Sequence, residues 1–162
     1  MDFEELERVN SSLKTVNIKG KEYVQVHDRV LAFRALYPCG KILNEILFDD
    51  GTRCTVKTTV KDGDDEIAIA HATEVREGMI NKTSYLENCE TSAVGRALGF
   101  LGIGSTSSIA SADEVTNAIN QQRDNEPFIG ACIECGQQYQ FDNAAQLEHS
   151  MCICGCAKFV RV

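Results

Sequence analysis

Thr52-Arg-Cys-Thr-Val-Lys-Thr-Thr-Val-Lys61 is the stretch on which the fold turns. It alternates with period two. Cys54, Val56, Thr58 and Val60 point one way, and Arg53, Thr55, Lys57, Thr59 and Lys61 the other. Such a pattern specifies a strand. Asp50-Gly51 before it is a hairpin turn signal, and Asp62-Gly63-Asp64 after it makes a second turn. Further out, Lys41–Asp49 alternates, with Ile42, Ile46 and Phe48 on one face and Leu43 and Leu47 on the other. Glu66–Arg76 places Ile67, Ile69 and Val75 on one face and small alanines on the other. The three segments predict an antiparallel meander.

Helical periodicity flanks the meander. Phe3, Leu6, Val9 and Leu13 predict a helix over about residues 3–14, and Lys19-Gly20-Lys21 reads as a turn. Val26, Val30, Phe33 and Tyr37 lie on one face of a helix that Pro38 and Gly40 stop. After a loop over Gly78–Lys82, Ser84-Tyr-Leu-Glu87 is a capping box opening a long helix to about Leu101. Leu86, Cys89, Ala93, Ala97 and Leu101 form its apolar stripe. Gly95 and Gly99 inside it each cost about 1 kcal/mol against Ala, which points to close packing by a neighbour. A polar loop, Ser105–Ser108, leads to a second capping box, Ser111–Glu114, and a helix to about Gln122. The predicted fold class is α+β: a three-stranded antiparallel meander packed on a long helix, with a small C-terminal zinc ribbon. The expected domains are residues 1–120, a linker at 121–129 and the ribbon at 130–162.

The ribbon follows from cysteine spacing. Five of the eight cysteines fall between Cys132 and Cys156. Cys132-Ile-Glu-Cys135-Gly136 is a CxxCG knuckle, in which glycine after the second Cys lets both thiolates face one cation. Cys152-Ile-Cys154-Gly155 ends on the same Cys-Gly pair, so the expected zinc ligands are Cys132, Cys135, Cys152 and Cys154, with Cys156 and His149 as alternatives to Cys154. About 30 residues cannot hold themselves together by burial alone, so the zinc is structural. Cys39, Cys54 and Cys89 are isolated and read as core thiols.

Charge is unevenly placed. The 162 residues carry a formal charge of −8, which taken alone argues against a nucleic-acid partner. Yet residues 8–61 hold ten bases and five acids between acidic flanks, and a local field decides whether a polyanion docks. No apolar run is long enough to span a bilayer, and the acidic start lacks the blocks of a signal peptide. The expected location is the cytoplasm, with no membrane partner.

Nothing in the sequence marks a catalytic centre. His71-Ala-Thr-Glu74 has the wrong spacing for a zinc deaminase. Gly102-Ile-Gly104 lacks the lysine of a phosphate loop. The expectation is a protein that is not an enzyme.

Tyr85-Leu-Glu-Asn-Cys-Glu-Thr-Ser-Ala-Val-Gly-Arg-Ala-Leu-Gly-Phe-Leu-Gly102 resembles the core helix of the Rad-fifty-two-like single-strand annealing proteins, with Asn81-Lys-Thr-Ser84 and Ser108-Ile-Ala-Ser-Ala-Asp113 as further signatures. The run from Tyr23 to Ile119 is similar to phage members of that superfamily, and the erf-type recombinases are a neighbouring possibility in the same annealing class. The resemblance implies a β-β-β-α annealing core. It implies ATP-independent binding of single-stranded DNA and annealing of complementary strands in phage-type homologous recombination, within a homo-oligomeric ring or filament. Arg96 matches the Arg of the family's Lys-Arg pair, while Gly95 stands where the Lys would be. A phage protein of this kind would act in the bacterial host cytoplasm.

Annealing needs phosphates neutralised while base edges stay free. Arg53, Lys57 and Lys61 on the strand face, Lys82 before the long helix and Arg96 on it are the expected DNA contacts. An ordinary exposed sheet face is the alternative for the strand cations. Successive side chains on that face stand about 6–7 Å apart, close to the spacing of an extended single strand. The ribbon, with Glu134, Asp142 and Glu148, would aid DNA binding or recruit a host or phage recombination or replication protein. Two alternatives remain: a protein that protects single-stranded DNA without annealing it, and a zinc-ribbon protein-interaction adaptor.

Overall fold

The computed structural model describes residues 2–105 and 108–162, and the chain divides into two units, Met1–Asn117 and Ala118–Val162. The first unit opens with α1 (Phe3–Ser12), whose N-cap Asp2 accepts the Glu5 N–H at 2.8 Å. Next comes a short hairpin, β1 (Thr15–Ile18) and β2 (Lys21–Val24). Lys19 (φ 51°) and Gly20 (φ 82°) both adopt left-handed backbone, the tight two-residue turn that matches strand twist. The sequence marks that turn but not the strands beside it.

Helix α2 (Val26–Leu36) leads to a three-stranded antiparallel sheet of β3 (Lys41–Asp49), β4 (Arg53–Asp62) and β5 (Asp65–Val75), in that order. One face of the sheet is buried. Cys54 and Val56 of β4 pack with Cys89 and Ala93 of α3 (Gly78–Phe100). Val60 and Ala70 join Phe33 and Leu36 of α2, Ala97 and Leu98 of α3, and Ile103 in the main cluster, with Leu6, Val9 and Leu13 against it. Two bulges alter the expected faces. Leu47 is extra in β3, so Phe48 pairs with Thr55 and turns away from Ile42 and Ile46. Ile67 is extra in β5 and packs into the core, while Ile69 stays exposed.

Helix α3 starts at Gly78, earlier than the capping box suggests, and Ser84 (φ −135°, ψ 26°) is a non-helical step within it. The second capping box forms as expected: Glu114 N–H donates to Ser111 Oγ (3.2 Å), and Ser111 N–H to Glu114 Oε2 (2.8 Å). It opens α4 (Ala112–Asp124). Thr106 and Ser107, in the expected polar loop before it, lie outside the described residues.

Arg29 is fully buried, which helical periodicity does not reveal. Its guanidinium donates to the carbonyls of Gly95 (2.7 Å), Ile109 (2.8 Å) and Gly104 (3.0 Å). Burial lowers its pKa, and the nearby carboxylates of Glu114 and Asp113 oppose that. Gly99 answers to the same contact: a Cβ there would stand 2.8 Å from Arg29 Nη1 and 3.0 Å from the Ile109 carbonyl oxygen. A Cβ on Gly95 would stand 2.8 Å from Val26 Cγ2, so the lysine of the annealing-helix pattern has no room for its stem.

The second unit holds a separate antiparallel sheet, β7-β6-β8, built from β6 (Phe128–Cys132), β7 (Gln138–Phe141) and β8 (Phe159–Arg161). A 3-10 helix, Ala144–His149, follows β7. Phe128, Tyr139, Phe141 and Phe159 stack or meet edge to face at 5.2–5.6 Å. The stretch expected as a linker, 121–129, is helical to Asp124 and in strand from Phe128. Among the described residues no helix is long and apolar enough to cross a membrane.

Candidate functional site

The two cysteine turns of the second unit are built alike. In the first, the Gly136 N–H donates to the Cys132 carbonyl (2.9 Å) and the Cys132 N–H to the Gln137 carbonyl (2.9 Å). In the second, the Gly155 N–H donates to the Cys152 carbonyl and the Cys152 N–H to the Cys156 carbonyl, each at 2.8 Å. Gly136 (φ 73°) and Gly155 (φ 88°) take the left-handed conformation that closes each turn. The second turn is one residue shorter, and Cys156 fills the place that Gln137 holds in the first. Its carbonyl closes the turn, and Cys154 provides the thiol.

The four sulfurs of Cys132, Cys135, Cys152 and Cys154 all lie within 4.8 Å of one another and could hold a metal ion. Cys132 and Cys154 Sγ are 3.6 Å apart, Cys135 and Cys152 Sγ 3.4 Å. Hydrogen bonds from the backbone N–H of Cys154 and the Tyr139 hydroxyl (3.3 Å) bring the pKa of Cys152 down to about 6, while Cys154, despite the N–H of Cys156, is pushed up to about 12 by the neighbouring sulfurs, so Cys152 is the first of the two to ionise. His149 and Cys156 are outside this group.

Cys54 and Cys89 are buried, and burial pushes the Cys89 thiol up to about 12. Cys39 is exposed, which corrects its reading as a core thiol.

The outer face of the β3-β4-β5 sheet is the second candidate site. Strand register places Arg53, Thr55, Lys57, Thr59 and Lys61 of β4 along its centre. Thr59 is flanked by Leu43 and Ile69, Lys57 by Glu45 and His71, and Thr55 by Phe48 and Thr73. Cation rows therefore alternate with threonine rows bearing apolar flanks. Leu43 (48 %), Ile69 (42 %) and Phe48 (40 %) remain half-exposed. Arg53 lies over the Phe48 ring, its Cζ 5.0 Å from the centroid. Lys57 Nζ is 4.0 Å from Glu45 and Lys61 Nζ 3.4 Å from Glu66. The carboxylates are exposed while the lysine side chains are 31 % and 26 % exposed, and pairs open to solvent contribute only roughly 0–1 kcal/mol.

A family model matches this part of the chain. The family is described as Slr1353 N-terminal dsRNA-binding domain-like, and the match covers residues 30–101. That range takes in most of α2, all three strands and α3. No curated protein matches the chain, and no solved structure does.

The five expected DNA contacts lie on two elements, β4 and α3. Arg53, Lys57 and Lys61 form a row on the outer face. Lys82 lies early in α3, where its carbonyl accepts Arg76 Nε at 2.9 Å. Arg96 is in the helical layer behind the sheet, paired with Glu114 at 3.3 Å. Asn81, in one of the signature segments, is buried and links Glu74 (2.8 Å) to Asn88 (2.7 Å). The bulge at Leu47 hides Phe48 from a period-two reading of the site.

Proposed function

We propose that the chain binds single-stranded DNA on the outer face of the β3-β4-β5 sheet and anneals complementary strands without ATP. The observation that carries this reading is the row Arg53, Lys57 and Lys61, four residues apart and so about 13 Å between cations. Phosphates of an extended strand bound along β4 would meet the cations, while base edges point outward and remain free to pair. Residue resemblance to the single-strand annealing superfamily supports the reading, and so does a matched family whose description is dsRNA-binding domain-like. Assembly into a ring or filament would repeat one weakly basic face many times and turn low affinity into avidity. Ile46 and Leu47, half-exposed on the edge strand β3, offer apolar surface for such assembly. No catalytic step is assigned.

The metal of the cysteine cluster is zinc in this reading, because four thiolates in a closed, hydrogen-bonded pair of turns suit a structural tetrahedral site. Its purpose is to hold the second unit folded, with DNA or a recombination or replication protein as the partner of that unit.

The family description favours a second reading, duplex RNA. Duplex RNA is recognised by shape and through phosphates and 2′-hydroxyls across grooves, without unstacked bases. Fluorescence anisotropy with labelled single-stranded DNA, duplex DNA and duplex RNA separates the two. Single-stranded DNA is expected to bind most tightly and with steep salt dependence. The variant Arg53→Ala/Lys57→Ala/Lys61→Ala is expected to lose at least about tenfold, and mixing complementary strands with wild type to accelerate pairing. Equal affinity of variant and wild type would remove the sheet face from the reading. Tighter binding of duplex RNA would replace it with the second, binding without accelerated pairing would leave a protecting protein, and binding of no oligonucleotide an adaptor.

A further inference from the structure

We propose that Phe48 is a base-stacking residue, and that it gives the outer sheet face a preference for unpaired over paired strands. This rests on the reading of that face as a nucleic-acid platform and names the residue that selects its ligand. The extra residue Leu47 turns Phe48 out of the line of Ile42 and Ile46 and onto the face that carries the cations. There it pairs with Thr55, in the row between Lys57 and Arg53. Two threonines continue that row, their hydroxyls joined at 2.9 Å, and they form a low floor beside the ring. Arg53 holds one side of the ring by a cation–π contact at 5.0 Å, and the ring stays 40 % exposed.

The spacing fits a single strand. Flanking cations lie about 13 Å apart along β4, roughly two phosphate intervals. A strand that sets one phosphate near Lys57 and another near Arg53 has an intervening nucleotide at the Thr55 row. The base of that nucleotide reaches the Phe48 ring. Stacking uses the face of a base and leaves its pairing edge exposed, which annealing requires. A duplex keeps each base inside its own stack and has none to give. The Thr59 row carries the aliphatic flanks Leu43 and Ile69 in place of an aromatic ring.

Binding of a thymidine 20-mer, its abasic counterpart and a duplex, measured across a salt series with the full chain, tests the proposal. Phe48→Ala is expected to weaken the thymidine oligomer about 5- to 100-fold with an unchanged salt slope. The loss is expected to vanish on the abasic strand and on duplex. Phe48→Tyr should bind as wild type. Phe48→Leu, which keeps apolar contact with its neighbours and should melt as wild type does, is expected to be weakened as well. If Phe48→Ala binds the oligomer normally while Lys57→Ala is weakened, stacking is wrong and the platform stands. An equal loss on the abasic strand would likewise overturn it, since the ring would then act only by positioning Arg53. If neither variant changes binding, both the stacking and the platform fall.

Discussion

Arg29 Nη1 donates to the carbonyl oxygen of Gly95 at 2.7 Å, joining α2 to α3 through a charge buried among backbone carbonyls. The same guanidinium reaches the carbonyls of Gly104 and Ile109, so one side chain fixes both the end of α3 and the approach to α4. Alanine favours a helix over glycine by about 1 kcal/mol, yet Gly99→Ala is expected to destabilise. Its Cβ would meet Arg29 Nη1 at 2.8 Å and the Ile109 carbonyl oxygen at 3.0 Å. A loss of about 1–3 kcal/mol is expected from overpacking, and about 3 kcal/mol or more for Arg29→Met, which strips several buried carbonyls of their donor. Urea midpoints measure both. A stabilised Gly99→Ala would show that the contact is soft.

The sheet was legible because β4 alternates without interruption and turn residues bracket it. The cysteine site was legible because thiolate chemistry demands a fixed spacing, and the Cys-Gly pair marked Cys154. Three features were not. A bulge obeys no period, so Leu47 sent Phe48 to the wrong face in a period-two reading. Arg29 reads as polar surface because its burial depends on carbonyls some 70 residues away in sequence. The strands Thr15–Ile18 and Lys21–Val24 are short, and a Lys-Gly turn lacks the Asn or Asp that usually announces such a hairpin.

Glu45 and Glu66 pair with Lys57 and Lys61, and under the proposed function they would compete with phosphates for these lysines. Glu45→Gln/Glu66→Gln is therefore expected to tighten single-stranded DNA binding several-fold at low salt, with the gain shrinking as salt rises. Anisotropy titrations at two salt concentrations read this. Unchanged affinity at low salt would mean that the ligand does not meet these lysines.

Removal of Cys154 and of Cys156 should have opposite results. Cys154→Ser is expected to release the metal and unfold the second unit, since folding and ligation are coupled in sites of this kind. Cys156→Ser should retain one metal per chain, because its backbone carbonyl, which the substitution preserves, closes the turn. Elemental analysis of the purified chains decides it. Metal retained by Cys154→Ser and lost by Cys156→Ser would reassign the ligand.

Thiol labelling separates the remaining cysteines. The thiolate is the reactive form, and a pKa pushed up to about 12 leaves Cys89 ionised in roughly one molecule in ten thousand at pH 8. Raising the pH increases that fraction, so reactivity should rise with pH until the fold itself opens. Iodoacetamide followed by peptide mass spectrometry on the metal-loaded chain should find Cys39 modified rapidly and Cys54 and Cys89 spared. Rapid modification of Cys89 would contradict its burial between α3 and strands β4 and β5.

The most direct test of the central claim is amide chemical-shift mapping of the full chain titrated with a short single-stranded oligonucleotide. Perturbations are expected along β4, from Arg53 to Lys61, and at their cross-strand neighbours around Phe48 and Ile69, with α2 and the core of α3 unmoved. Perturbations confined to residues 118–162, or to the helices behind the sheet, would contradict it.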